Sequence, residues 1–229
     1  MPNTRNTVSA FVLFALRAAL AGEWIAGTYQ SPEEDNFNAF FADASAPVLS
    51  RRFDVPTDAR RVELKIAVAG LCDVYVNGLR LSSTPLSAWT DYGSRILEDS
   101  YDLLPYVKCG AESEIRLEVG NGWYNPLPWG MWGCLNLRKH LAVGTPCVKG
   151  QIVIEDVNGS SIVLPTDSTW LAADGTMVFN SIYRGERRDF RCCVTNWAPA
   201  RVVAGPKGAV LPRGDFPRVV VTERLKPRR

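Results

Sequence analysis

The sequence predicts an all-β chain folded as a two-sheet, jelly-roll-like sandwich. Three observations predict it: apolar and polar residues alternate through the middle of the chain, two Asn-Gly pairs sit between alternating runs, and no long segment of helical period appears after residue 21. With 229 residues, 46% hydrophobic and 22% charged, the chain is long enough for a large buried core and too apolar for a disordered one. The expected division is 1–22 as a leader or short helical extension, 23–200 as the sandwich, and 201–229 as a linker toward a next domain.

The elements follow in chain order. Ser9–Ala21 is a strongly apolar run, preceded by Arg5 and ending in Ala19-Leu20-Ala21, a small-x-small pattern. It reads either as a signal peptide, interrupted by Arg17, or as a short amphipathic helix. A bilayer-spanning helix needs about 20 apolar residues, so no membrane partner is expected. In Arg61–Val68, Val62, Leu64, Ile66 and Val68 share one face, opposite Arg61, Glu63 and Lys65. That is the pattern of a half-buried strand. Asp73–Val76 follows, closed by Asn77-Gly78, a pair that tolerates the positive φ of a tight hairpin. Asp99–Cys109 leaves room for one helical turn, and Glu114–Val119 repeats the alternation. Gln151–Val157 and Ser161–Leu164 flank the second Asn-Gly pair, and Val219–Val221 is read as a late strand.

Charge and cysteine exclude whole classes of function. Lys and Arg number 26 against 24 acids, a net charge of +2, and the excess sits in a basic C-terminal tail. A nearly neutral body argues against a nucleic-acid partner. His140, the single histidine, excludes a multi-histidine metal centre, and its cationic neighbours Arg138 and Lys139 favour a surface position. The six cysteines show no CxxC spacing and are read as reduced, mostly buried thiols. Cys192 and Cys193, if in a strand, would point to opposite faces and could not share one zinc ion.

Three segments exceed what strands and turns require. They are Trp89–Tyr92, Gly120–Gly133 with Trp123, Tyr124, Trp129 and Trp132, and Ile182–Arg191. Aromatic side chains on a Gly/Pro-rich loop either cap the sandwich core or lie open as a binding platform. An aromatic plane beside Asn or Asp suits the C–H faces and hydroxyls of a sugar. Trp89, Asp91, Asn121, Trp123, Tyr124 and Trp129 are therefore the candidate carbohydrate-binding residues. For Asp91 the alternative is to tie its own turn.

These segments, in this order, resemble the N-terminal β-sandwich domain of bacterial α-L-rhamnosidases. The resemblance runs from Ser50-Arg51-Arg52-Phe53-Asp54-Val55-Pro56 through Val74-Tyr75-Val76-Asn77-Gly78 and Trp89-Thr90-Asp91-Tyr92. It continues in Tyr101-Asp102-Leu103-Leu104, Gly120-Asn121-Gly122-Trp123-Tyr124, Gly185–Arg191 and Thr222–Pro227. It implies a galactose-binding-domain-like jelly roll that accompanies a catalytic (α/α)6 barrel, and a rhamnose-containing carbohydrate as ligand. The family's inverting chemistry needs two carboxyl groups roughly 6.5–9.5 Å apart, which the resemblance places in that barrel. The chain is thus expected to be a non-catalytic accessory module or a truncated product with no catalytic residues of its own. A free-standing carbohydrate-binding module is the alternative. Glu186, Asp189 and Arg191 are expected to form an ion-paired latch at the boundary with the barrel, the acids held by Arg184, Arg187 or Arg191.

No cofactor is expected, with calcium the one alternative. Some rhamnose-binding relatives of this sandwich hold calcium through an Asp-Asn pair shortly before the Asn-Gly hairpin. Here Gly70-Leu71 stands at about that place, with Asp73 nearby and Asn121 and the Pro126 carbonyl as further oxygens. The compartment is left open, because the apolar leader points outward and the cysteines inward.

Overall fold

The computed structural model describes residues 20–32, 37–81, 89–128 and 136–226, and within them the alternation becomes two facing sheets. The strands are β1 (Trp24–Ala26), β2 (Pro47–Val55), β3 (Ala59–Ala69), β4 (Leu71–Val76), β5 (Leu79–Arg80), β6 (Arg95–Asp102), β7 (Ala111–Gly120) and β8 (Cys147–Asp156). They continue as β9 (Ser161–Pro165), β10 (Leu171–Asp174), β11 (Met177–Ser181), β12 (Gly185–Arg188), β13 (Ala198–Pro199), β14 (Arg201–Val203) and β15 (Ala209–Pro212). The first sheet runs β14-β1-β8-β3-β6-β15, with β9 also on β8, and the second runs β13-β10-β2-β7-β4-β5. Strands β11 and β12 form a separate hairpin. Among the described residues only β15 on β6 is parallel; the other pairings are antiparallel.

The main core lies between the sheets, where period-2 alternation delivers one side chain in two. Val62, Leu64, Ile66 and Val68 of β3 meet Val74, Val76, Ile115, Leu117 and Val119 of the facing sheet, with Trp170 closing one side. Each large side chain buried there contributes about 1.5–3 kcal/mol. Asn77 (φ 49°) and Gly78 (φ 80°) both take the left-handed conformation that the tight β4–β5 turn requires. The Asn158-Gly159 pair also closes a hairpin, but only Gly159 (φ 85°) is left-handed, and the Asp156 carboxylate accepts from the Asn158 and Ser160 N–H groups. The expected helical turn is a short 3-10 turn at Leu104–Tyr106.

The structure departs from the sequence reading in five places. Ala67 and Ala69, on the face of β3 expected to be polar, are fully buried in a second cluster with Leu20, Trp24, Tyr92, Ile96 and Tyr124. The reason is that three chain segments lie across that end of the first sheet. Residues Leu20–Gly22, placed in the expected extension, join this packing, and Ala21 donates its N–H to Gln151 Oε1 at 2.9 Å. The rest of the expected leader lies outside the described residues. Residues 201–203 and 209–212, placed in the expected linker, are strands of the first sheet instead. Val219–Val221 forms no strand, and its side chains are exposed. Cys72 and Cys147 are buried as expected, whereas Cys109, Cys192 and Cys193 are exposed free thiols, and the last two lie in an irregular segment rather than a strand. No helix among the described residues is long and apolar enough to cross a membrane.

Candidate functional site

The candidate site forms where β3 hands over to β4 and β7 ends. Gly70 makes this junction close: a Cβ there would meet the Gly120 carbonyl oxygen at 2.5 Å, in a backbone with φ +125°. A Cβ on Gly122, whose φ is +51°, would likewise meet the Gly70 carbonyl carbon at 2.6 Å. The loop after β7 therefore crosses tightly over the sheet end and lifts Trp123 outward.

Trp89 and Trp123, distant in sequence, stack with ring centroids 4.2 Å apart and planes inclined by 14°. Tyr183, from the turn of the β11–β12 hairpin, stands edge-on to Trp123 at 5.8 Å. Beneath them Tyr92 and Tyr124 meet edge to face at 5.0 Å, and both are buried. Trp123 is half-buried, and Trp89 is 57% exposed. A cleft of about 390 Å³ opens beside the pair, lined by Trp89, Asp91, Arg95, Trp123, His140 and Phe216 among others. It can offer a flat ligand an indole surface together with polar groups from Arg95 and His140.

The six residues singled out in sequence divide by burial. Trp89 and Trp123 form the exposed stack. Asp91 lines the cleft, but both its oxygens serve its own turn: Oδ1 accepts from Gly93 N–H at 2.9 Å and Oδ2 from Ser94 Oγ at 2.6 Å. These bonds hold its carboxyl below the usual range, the Ser94 bond most strongly. Asn121 and Tyr124 turn inward. Asn121 donates to the Asn180 side chain from its backbone and to the Asn180 carbonyl from Nδ2, while its own Oδ1 accepts from Asn125. Tyr124 packs against β3 and β8, and burial pushes its phenol up to about 12. Trp129 lies outside the described residues. Arg95 and Phe216 belong to this surface and were not singled out, and Tyr183 stood out only as part of Ile182–Arg191, because no local pattern marks contacts between segments so far apart in the chain.

The expected latch residues sit on and after β12. Asp189 is held bidentately by Arg191 at 2.9 and 2.7 Å, as expected, and Glu186 pairs instead with Arg188 at 3.0 Å. The contact that fastens the hairpin to the sheet was missed: Arg188 grips the buried Glu118 of β7 with two bonds of 2.9 and 3.0 Å. Burial opposes the Arg188 charge, but the bonds to Glu118 and Glu186 outweigh it and raise its pKa. Arg187 pairs with Asp43, and Arg184 lies over the Phe41 and Phe179 rings.

The residues named for calcium do not fit it. A side chain at Gly70 has no room, the Asn121 oxygen is taken by Asn125, and the Pro126 carbonyl faces the guanidinium of Arg138 at 3.4 Å. A hard cation asks for six or more free oxygens. Among the described residues no three His, Cys, Asp or Glu side chains come together to hold a metal.

Residues 57–218 match the family described as the alpha-L-rhamnosidase N-terminal domain. An alpha-L-rhamnosidase of Streptomyces avermitilis is 27% identical over 201 residues, covering 79% of this chain and 19% of that protein. One of Formosa agariphila is 28% identical over 153 residues, covering 65% of this chain and 16% of that protein. Among solved structures, the S. avermitilis enzyme complexed with L-rhamnose aligns with a TM-score of 0.62 at 25% identity, over 73% of this chain and 17% of its own. The alpha-L-rhamnosidase of Dictyoglumus thermophilum shares the fold with a TM-score of 0.71 at 24% identity, over 91% of this chain and 24% of its own. The chain thus spans less than a quarter of the length of these relatives. By the match across most of its length, the chain belongs to the alpha-L-rhamnosidase N-terminal domain family.

Proposed function

We propose that this chain is the non-catalytic accessory sandwich of an α-L-rhamnosidase-like glycoside hydrolase, packing on the catalytic barrel and helping to shape carbohydrate recognition. The observation that carries the reading is the stacked Trp89–Trp123 pair, exposed above a cleft of about 390 Å³. Two indoles held parallel on a rigid sheet end lose little freedom when a pyranose ring lies against them, and the apolar C–H face of the sugar replaces water there. Rhamnose is the first ligand to test, since a similar enzyme was solved with it. Two carboxylates, Asp91 by the cleft and Asp189 just after the hairpin, suit structural work. Asp91 and Asp189 both have lowered pKa values, from bonds to Ser94 and to Arg191 respectively, so neither is protonated near neutral pH as a general acid must be. Packing against a barrel is supported by the exposed apolar side chains Phe216, Val219, Val220, Val221 and Leu225, which gather in one segment after β15.

The second reading, a free-standing module for rhamnose-containing glycans, draws on the same cleft. Calorimetric titration of the purified chain with L-rhamnose and oligorhamnosides, with and without calcium, separates the two. Saturable binding that drops at least tenfold, about 1.4 kcal/mol, in Trp89→Ala supports direct sugar contact and favours the module. Absence of binding removes the sugar-contact reading and leaves barrel packing alone. Turnover of p-nitrophenyl rhamnoside by the pure chain overturns the non-catalytic assignment.

A further inference from the structure

We infer that the buried guanidinium of Arg138 is a built-in cation that fixes the loop carrying Trp123, so that the indole platform keeps its shape without any bound metal ion. This deepens the sugar-contact reading in its consequence for binding, while its geometry stands apart from that reading. Arg138 is only 5% exposed, in a 3-10 turn (Leu137–His140) that Asn136 caps by accepting the Arg138 N–H. Its Nη1 donates to Asn125 Oδ1 at 2.5 Å and to the Pro126 carbonyl at 3.4 Å, and Nη2 donates to Ser31 Oγ at 3.0 Å. The Phe40 ring covers the guanidinium at 4.7 Å. Oxygen dipoles from two separate chain segments and one aromatic face thus converge on a single charge, much as ligands converge on a metal. The charge is covalently tethered, so no chelator can remove it.

What Arg138 holds is the floor of the platform. Asn125 is fully buried and its amide is fully used. Its Oδ1 also accepts from Ser31 Oγ at 2.7 Å, and its Nδ2 donates to Asn121 Oδ1 at 2.7 Å and to Tyr29 Oη at 3.1 Å. Asn121 passes the chain of bonds to Asn180 through contacts of 2.6 and 2.9 Å. Trp123 lies between Asn121 and Asn125 in the sequence, and Tyr183 lies three residues after Asn180. One continuous network therefore runs beside both Trp123 of the stack and Tyr183 at its edge. Charge-assisted bonds in a low-dielectric interior are the strong ones, and a network with one member removed leaves buried acceptors unpaired. Loss of the guanidinium takes the donor from the Pro126 carbonyl and from Ser31 Oγ and leaves Asn125 Oδ1 with Ser31 alone, which should loosen the loop above it.

The test uses the full chain and a readout that needs no sugar. Stacked indoles shift each other's proton resonances through their ring currents, so the Trp89 and Trp123 indole N–H signals, assigned with Trp89→Phe and Trp123→Phe, report the stack. In the wild-type chain these shifts should survive EDTA and remain unmoved by added calcium. In Arg138→Ala they should collapse while the dispersed amide signals of the core strands persist. Millimolar methylguanidinium should restore them, and equal sodium chloride should not. Persistence of the shifts in Arg138→Ala, failure of methylguanidinium to restore them, or their loss on chelation in the wild type would overturn the inference. If Arg138→Ala does not fold, Arg138→Lys decides: it keeps the charge without the planar fork, so the shifts should weaken, and full retention contradicts the role. Rhamnose affinity should fall at least tenfold in step with the stack. A collapsed stack with unchanged affinity would leave the Arg138 role intact and refute the sugar-contact reading instead.

Discussion

Arg213 and Asp99 show how much one pair of charges can decide. Asp99 of β6 is buried, and Arg213, just past β15, holds it through Nε and through an Nη2–Oδ2 bond of 2.7 Å. Their side chains are 8% and 5% exposed. The bond to Asp99 raises the pKa of Arg213, so the cation is secure. The pair fastens the parallel strand β15 to the sheet edge. Arg213→Ala strands a carboxylate in the interior with Arg218 at 3.6 Å as the remaining cation among the described residues, and should cost about 3–5 kcal/mol, read as a lower urea midpoint. Arg213→Met combined with Asp99→Leu should recover most of that loss, because two apolar residues leave no buried charge behind. A double variant as unstable as the single one would show that the pair is not the cause.

At the scale of elements, the β4–β5 hairpin depends on one turn residue. Asn77 takes φ 49°, a conformation that costs an ordinary L-residue about 1–2 kcal/mol. Its side chain also works across the sheet: Oδ1 accepts from Glu114 N–H at 2.9 Å, and Nδ2 donates to the Tyr106 carbonyl at 2.9 Å. Asn77→Ala should therefore destabilise the chain by about 2 kcal/mol. Asn77→Gly, which relieves the backbone but loses the bonds, should cost roughly half as much in the same denaturation series. Equal losses would mean that backbone strain is irrelevant there. The β11–β12 hairpin is a contrasting element. It stands outside both main sheets; the Arg188–Glu118 contact fastens its open end to β7, and the turn at its other end carries Tyr183 edge-on to Trp123.

For the whole molecule, alkaline pH is the informative axis. Burial pushes the phenols of Tyr101 and Tyr124 up to about 12 from 10.0. A folded pKa above the unfolded one means that the fold binds these protons more tightly than the unfolded chain does. The associated stability is fully present below about pH 10 and is lost as pH rises from 10 toward 12. The thermal midpoint should fall across that window, and Tyr101→Phe with Tyr124→Phe should flatten the fall. A midpoint unchanged by those substitutions would place the alkaline transition elsewhere. The two phenols belong to different packing regions, one against the main core and one in the second cluster beneath the platform. Phenolate absorbance can then report whether the two regions open together.

The sequence alone determined the sheet content, the faces of β3, β4 and β7, and both Asn-Gly hairpins. Those features are written in a period of two and in the φ demands of single residues, which act over a few positions of chain. It also determined the family, through short motifs kept in order. Tertiary structure decided the rest. Ala67 and Ala69 are buried because distant segments cross the outer face of the first sheet, which no local period can announce. Asp91, Asn121 and Tyr124 carry the right chemistry for a ligand, yet packing turned Asn121 and Tyr124 inward and tied Asp91 to its own turn. Trp89, Trp123 and Tyr183 became one surface only when three loops met, and Arg138, two residues from a His140 read as a surface residue, was drawn inside by the Asn125 amide oxygen, the Pro126 carbonyl and the Ser31 hydroxyl. A side chain's period fixes which way it points; only the partners that arrive from elsewhere fix whether water or protein meets it.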